Sequence, residues 1–191
     1  MERILDAAEE VFLAEGYEGA NLNEVIAKVG GSKRTIYTYF GGKLDLFKAI
    51  VERLAQNVDQ GIDALDTTDV YGSLCNLCLT HLDQVTGPAQ LAVFRLVLGE
   101  QARNPEVAQE FFAAGPMQSQ RNLEQFLMRL NASGGLVIPD VAQAADLLLG
   151  GLRGLAHLEG LFCNAKLDDA ELRKRVDFAV TSFLKMYPPT T

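Results

Sequence analysis

Apolar positions recur at helical spacing along most of the chain. From Arg3 to Glu15, residues Ile4, Ala8, Val11 and Phe12 share one face with Leu5 beside them, and Gly16 is the expected stop. Asn21 is a good N-cap, Glu24 stands where a capping-box partner belongs, and Val25, Ile26 and Val29 supply the apolar face of a short helix. Gly30 and Gly31 suit a sharp chain reversal. Ser32 caps a second short helix that turns Ile36 and Phe40 inward and Lys33, Arg34, Thr35, Tyr37 and Tyr39 outward, and Gly41-Gly42 ends it. Lys43 to Leu65 is a long helix with the stripe Leu44, Phe47, Val51, Leu54, Val58, Ile62 and Leu65. A polar loop at 66–69 follows. The remaining helices are Val70–Val85, Ala89–Arg103, Glu106–Leu130, Val141–Phe162 and Ala170–Tyr187. Pro116 cannot donate a backbone hydrogen bond, so Gly115-Pro116 predicts a kink or a break. No strand pattern is visible. The prediction is an all-α fold of about nine helices.

Two short helices joined by a glycine turn form a helix-turn-helix unit, whose second helix enters the DNA major groove. The chemistry of the second helix suits that role. Lysine and arginine match the acceptors of guanine, threonine can bond either kind of pair, and tyrosine hydroxyls can bond phosphates. An ordinary surface hairpin is the alternative on pattern alone.

The residues Ile4-Leu5-x-Ala7-Ala8-x-x-Val11-Phe12-x-x-x-Gly16-Tyr17, followed by Val29-Gly30-Gly31-Ser32-Lys33-x-Thr35-Ile36-Tyr37-x-Tyr39-Phe40-x-x-Lys43-x-x-Leu46-Phe47, resemble the DNA-binding domain of TetR-family transcriptional regulators. The family usually carries Ala-Gly-Val-Ser where this chain has Val29-Gly30-Gly31-Ser32, which predicts a looser turn without one apolar plug. The resemblance implies that Ser32, Lys33, Arg34, Thr35 and Tyr37 face double-stranded DNA, and that Tyr39 and Lys43 hold phosphates. Asn21, at the entrance of the pair, joins the DNA-facing set. Phe94 to Arg153, with Gly115-Pro116 and the run AADLLLGGLRG, looks like the C-terminal domain of AefR-like members. That implies an effector-binding and dimerisation domain, not an enzyme. The expected division is 1–49 for DNA binding and 50–191 for effector binding and dimerisation, with the long helix as the mechanical link. The expected function is a homodimeric, ligand-responsive repressor on a palindromic operator. The alternative is a helical small-molecule-binding or interaction module that has lost DNA binding.

Charge sharpens this picture. The net charge is −8, yet residues 28–48 carry five basic residues against one acid, a small basic spot on an acidic body. That is the profile of a selective reader with few phosphate contacts. Hydrophobic residues make up 48% of the chain, enough for a sizeable core, but no run approaches the roughly 20 residues of a membrane span. No signal-peptide pattern is visible at the acidic, amphipathic start, so the expectation is a cytoplasmic protein without membrane partners. Cys75, Cys78 and Cys163 do not form a secreted disulfide framework.

The remaining candidate sites have competing readings. The last two helices are candidates for the dimer interface through Leu152 and Leu155 on one and Leu172, Val176, Val180, Phe183 and Tyr187 on the other; Phe178 lies off that face. An effector pocket among the middle helices could be lined by Phe94, Leu98, Phe111, Phe112, Phe126 and Leu130, with plain core packing as the alternative. Arg95, Glu100, Arg103 and Arg153 sit inside apolar runs. One could anchor an anionic ligand; ion pairing or stems reaching solvent are the alternatives. Cys75-x-x-Cys78-x-x-His81 places three soft ligands on one helix face, open to a metal or redox reading, against the tendency of free cysteine to be core. His157 reads as a core or interface histidine. No metal and no cofactor is expected. Neither a nucleophile elbow nor a paired Glu-x-x-His motif is present, and Gly150-Gly151-x-x-Gly154 lies within a helix, not after a strand.

Overall fold

A computed structural model describes residues 1–59 and 66–188, with side chains omitted over 54–59. Ile62, Leu65 and Pro189, and the side chains of Leu54 and Val58, therefore lie outside the described residues. Ten helices occupy the described chain: α1 Glu2–Gly19, α2 Leu22–Val29, α3 Lys33–Phe40, α4 Lys43–Asp59, α5 Val70–Thr86, α6 Pro88–Glu100, α7 Pro105–Ala114, α8 Pro116–Ala132, α9 Val141–Cys163 and α10 Asp169–Met186. No strand occurs among these residues. The all-α expectation holds, and the tenth helix comes from Gly115. There the backbone leaves the helical region (φ −102°, ψ −86°), and Pro116 opens a separate helix where its missing N–H costs nothing.

Two other irregularities matter. Gly16 does not end α1. At φ 72° it kinks the helix, and one more turn follows, closed by the Ala20 N–H on the Gly16 carbonyl. The extra turn is held by Tyr17, whose ring stacks on Phe12 at 5.7 Å and meets the edge of Phe47 at 5.6 Å. In α9, Gly154 stands at φ 41°, ψ −141°, a break in mid-helix. By contrast α10 starts as its sequence predicts, with a reciprocal capping box between Asp168 and Glu171.

The chain forms two compact units, Met1–Asn57 with Ala92–Met117, and Val58–Leu91 with Gln118–Thr191. The expected division at 49/50 gave all of α6 and α7 to the second domain. Structurally most of α6 and all of α7 join the first. Val93, Val97, Val107 and Phe111 share one core with Leu5, Val11, Phe12, Val25, Ile36, Leu46, Phe47 and Ile50. Polar contacts reinforce this grouping. Asn104 donates to Glu18 and Glu100, and Lys48 pairs with Glu110 at 3.1 Å. An apolar stripe shows that a face is buried but not against what, so the spacing alone does not reveal that α6 and α7 share this core.

The second unit has its own core, built from Leu74, Leu82, Leu123, Phe126, Leu130, Leu149, Leu152, Val176 and Phe183 among others. No helix among the described residues is long and apolar enough to cross a membrane.

Candidate nucleic-acid interface

Helix α2 begins where Asn21 accepts the Asn23 N–H at 2.9 Å, so the cap forms without the reciprocal Glu24 bond of a full capping box. It ends at Gly30 (φ 77°), and Gly31 follows at φ 112°, both in the left-handed region that side chains disfavour. The turn has no apolar plug, in keeping with the departure at Gly31. Ser32 takes the extended conformation of an N-cap, but its hydroxyl lies 3.3 Å from the Thr35 hydroxyl and makes no bond to the helix backbone.

Helix α3 is eight residues long and buries only Ile36. Phe40 and Thr35 are half-buried. Ser32, Lys33 and Arg34 are exposed, and so are Tyr37 at 55% and Tyr39 at 63%, unusual exposure for aromatic side chains. Neither Lys33 nor Arg34 has an ion-pair or hydrogen-bond partner among the described residues. The other basic residues of the 28–48 segment are engaged. Lys28 pairs with Glu10 at 2.7 Å and Lys48 with Glu110. Lys43 donates to the Glu18 carbonyl at 2.9 Å and lies over the Tyr17 ring. Lys43 keeps its charge but is bonded inward, which leaves two adjacent cations at the N-terminal end of α3 without partners among the described residues. Such a residue pair, flanked by threonine and tyrosine hydroxyls, can reach base-edge acceptors and phosphates.

Helices α1 and α4, which share a core with Ile36 of α3, are also joined by ion pairs. Arg53 of α4 binds three acids spaced along α1, with Nη1 2.6 Å from Asp6 and 3.4 Å from Glu2, and Nη2 2.5 Å from Glu9. Of the predicted DNA-facing residues, Ser32, Lys33, Arg34, Tyr37 and Tyr39 are exposed on and just before α3, and Thr35 is half-buried among them. Asn21 is exposed, its carbonyl occupied by the cap, and Lys43 is half-buried and bonded inward.

The other predicted sites fare differently. Leu152, Leu172, Val176, Val180 and Phe183 are 4% exposed or less, and Tyr187 packs beside Phe183 at 4.9 Å. The first five fill the second unit's own core, so they are corrected from interface to core; Leu155, 68% exposed, and half-buried Tyr187 keep surface that can meet a partner. The apolar side chains that do face solvent on α9 and α10 are Leu147, Leu155, Leu158, Phe162, Phe178 and Met186. Phe178, lying off the buried stripe, was the one signal in the sequence for this second face.

The predicted effector-lining residues are divided between the two units. Phe94, Leu98, Phe111 and Phe112 belong to the first unit and Phe126 and Leu130 to the second. Phe94 and Phe111 pack edge to face at 4.7 Å, Leu98 and Phe112 are exposed, and Phe126 and Leu130 are wholly buried. Two clefts of about 390 and 440 Å³ have other linings, the first at Tyr71, Cys75 and Asp177, the second at Arg95, Leu96 and Glu100.

Cys75, Cys78 and Cys163 are free thiols. Burial pushes the Cys78 thiol up to about 12 and raises Cys75 as well, so both stay protonated and unreactive near neutral pH. No cluster of three or more metal-binding side chains exists among the described residues. The Cys-x-x-Cys-x-x-His run is a core face.

Comparison with known proteins identifies the family and the fold. A family model described as the AefR-like transcriptional repressor C-terminal domain matches residues 72–189, and one described as bacterial regulatory proteins of the tetR family matches residues 4–50. The HTH-type transcriptional activator FasR of Mycolicibacterium smegmatis is 39% identical over 67 residues, 35% of this chain and 31% of its own length. The match therefore spans about a third of that relative. The HTH-type transcriptional repressor ComR of Escherichia coli is 25% identical across 96% of this chain and 87% of its own. Among solved structures, a protein of Mesorhizobium loti assigned to the TetR-family transcriptional regulators superposes with a TM-score of 0.83, 26% identity and coverage of 97% and 95% of the two chains. The flavonoid-responsive regulator FrrA, at 24% identity and a TM-score of 0.82 over 100% and 98%, shares the fold.

Proposed function

The chain belongs to the TetR family of bacterial transcriptional regulators, and from that premise we propose that it works in the cytoplasm as a homodimeric repressor, released from a palindromic operator by a small apolar effector. The observation that carries this reading is α3, which buries only Ile36 and presents Lys33 and Arg34 without partners beside exposed Tyr37 and Tyr39. Cations flanked by threonine and tyrosine hydroxyls suit a partner that offers phosphates and base-edge acceptors. Ser32, Thr35 and Tyr39 then serve as positioning contacts, with Arg34 and Lys33 reading base edges.

Two copies are needed because paired half-sites lie about 34–36 Å apart, or a multiple of that. The surface proposed for pairing is the exposed apolar face of α9 and α10, through Leu147, Leu155, Leu158, Phe162, Phe178 and Met186. A Cβ at Gly150 or Gly151 would meet nothing within 4 Å, which leaves room for a partner's backbone. Release requires an effector that prefers the DNA-incompetent state. α4 is the proposed link, since it runs unbroken from Lys43 to Asp59.

The test is selection of bound duplexes from a random pool, then anisotropy titrations of wild type and Arg34→Ala on the enriched site. Loss of one bidentate arginine–guanine contact costs about 1–3 kcal/mol, so Arg34→Ala should weaken operator binding by roughly tenfold or more per half-site while remaining a folded dimer. Wild-type affinity in the variant removes Arg34 from the interface. An affinity for random duplex that ignores salt favours instead a helical module without DNA binding.

A further inference from the structure

The second unit contains polar side chains that its own packing leaves without partners. His81 on α5 is 2% exposed, and neither ring nitrogen has a hydrogen-bond partner. The side-chain carbonyls of Gln84, one turn on, and of Gln90, near the start of α6, are buried and equally unmatched. Across from α5 stands Arg153 of α9. It is half-buried, its one hydrogen bond runs from Nε to the Leu149 carbonyl of its own helix at 3.2 Å, and no carboxylate pairs with it among the described residues. Asp146, two turns earlier, tempers its charge only from a distance. His157, one turn further along α9, meets the Val85 carbonyl at 3.2 Å and so ties this stretch of α9 to α5. Directly after Arg153 comes the mid-helix break at Gly154.

Physical chemistry does not favour this arrangement in a finished core. A buried imidazole without partners and a half-buried guanidinium without a counter-ion both destabilise the unit. Burial, reinforced by the charges of Arg153 and His157, holds His81 neutral, down to about 3, so the ring offers one N–H donor and one acceptor. Arg153 and His81 stand on two helices that pack together, and a guanidinium fork with an imidazole N–H matches a carboxylate, which accepts two parallel bonds from arginine and a third from a neighbour. The surroundings are hydrocarbon: Leu82, Leu149 and Leu152 belong to the same core.

We propose that Arg153 and His81 form the head-group subsite of the effector pocket and take the carboxylate of a small organic acid whose apolar body lies along α5 and α9. This deepens the effector-responsive reading above and rests on it. It also names the class of effector: an amphipathic monocarboxylic acid rather than a neutral apolar molecule. The Gln84 and Gln90 carbonyls accept from a hydroxyl or N–H elsewhere on the same ligand.

The experiment is calorimetric titration of the full chain with octanoate and benzoate, each against the alcohol of the same skeleton, with acetate and inorganic phosphate as head-only probes. At least one acid should bind about tenfold more tightly than its alcohol. Arg153→Gln and His81→Phe should each bring the acid down to the level of the alcohol. His81→Phe should also melt no lower than wild type, because it removes an unmatched polar group; it keeps the test decisive if Arg153→Gln fails to fold. Absence of binding by both acids, equal binding of acid and alcohol, or a preference that survives both substitutions overturns the subsite. Acetate or phosphate binding as tightly as the longer acids overturns the organic-acid assignment. Operator binding is measured on the same samples. Intact operator binding without acid binding removes this subsite and leaves the regulator standing, whereas acid preference without operator binding does the reverse.

Discussion

Helix α3 and the α5–α9 interior both hold polar groups that the fold leaves unpaired, and the two cases differ in what they reveal. Lys33 and Arg34 are exposed to water, so lack of a partner costs them nothing and means little by itself. They become informative through their type, through the tyrosines beside them, and through the contrast with Lys28, Lys43 and Lys48, all occupied. His81 is the opposite. One histidine among leucines says little as a residue type, but a fully buried ring with neither nitrogen matched lies in a place where such groups are rarely left. A surface group reveals its use by chemistry, a core group by its location.

The same contrast holds for apolar side chains and yields the largest predicted effect. Phe178 and Leu155 are 75% and 68% exposed, while Leu172 on α10 is 4% exposed. If exposure marks the pairing face, Leu155→Glu or Phe178→Glu gives a folded monomer by size-exclusion chromatography. Because two linked readers gain about 10²–10⁴-fold over one, operator affinity should fall by that order. Leu172→Ala should instead cost about 2–5 kcal/mol of stability and leave the dimer intact below its melting point. A dimeric Phe178→Glu protein with full affinity breaks the comparison.

An intermediate effect tests the interior. His81 keeps its proton off down to about 3, whereas an unfolded chain takes one near 6.5. Below pH 6.5 the unfolded state therefore binds more protons, and stability falls as pH falls. His157 is lowered too and adds to the same limb. His81→Phe removes its share, so the stability gap between variant and wild type should widen by roughly 2 kcal/mol or less between pH 7 and pH 5. Denaturant melts at the two pH values measure it; a gap that stays constant means the ring is not held neutral.

Legibility from the sequence follows the same division. Helix positions, the caps at Asn21 and Asp168, the turn at Gly30-Gly31 and the outward strip of α3 are local properties, and local spacing predicts them. The break at Gly115 was legible as well, because proline removes a specific hydrogen bond. What the sequence could not supply was the partner of each buried face. Val93 and Val97 read as core without revealing that the core is shared with α1 and α4. The stripe Leu172-Val176-Val180-Phe183 is as good a dimer seam on paper as it is a core stripe in fact. Gly16 reads as a stop, yet α1 resumes after it because the Tyr17 ring stacks on Phe12; Gly154 reads as one more residue of its helix, yet its backbone leaves the helical region.

The smallest predicted effect probes whether the two free cations of α3 are the whole electrostatic footprint. Lys28 in the last turn of α2 is held by Glu10 at 2.7 Å, with the two side chains 49% and 67% exposed. An ion pair this wet contributes about 0–1 kcal/mol, so Glu10→Gln should leave stability almost unchanged. It does, however, release a cation on the helix that precedes the reader. If Lys28 then reaches a phosphate, the slope of log affinity against log salt steepens by about 0.9 per subunit, and affinity at low salt rises a few-fold without any change in the preferred sequence. That outcome assigns Glu10 the role of restraining non-specific binding, in keeping with a chain whose net charge is −8. An unchanged slope leaves Lys33 and Arg34 as the cations that matter, and makes the distinction between engaged and free charges on this surface sharper still.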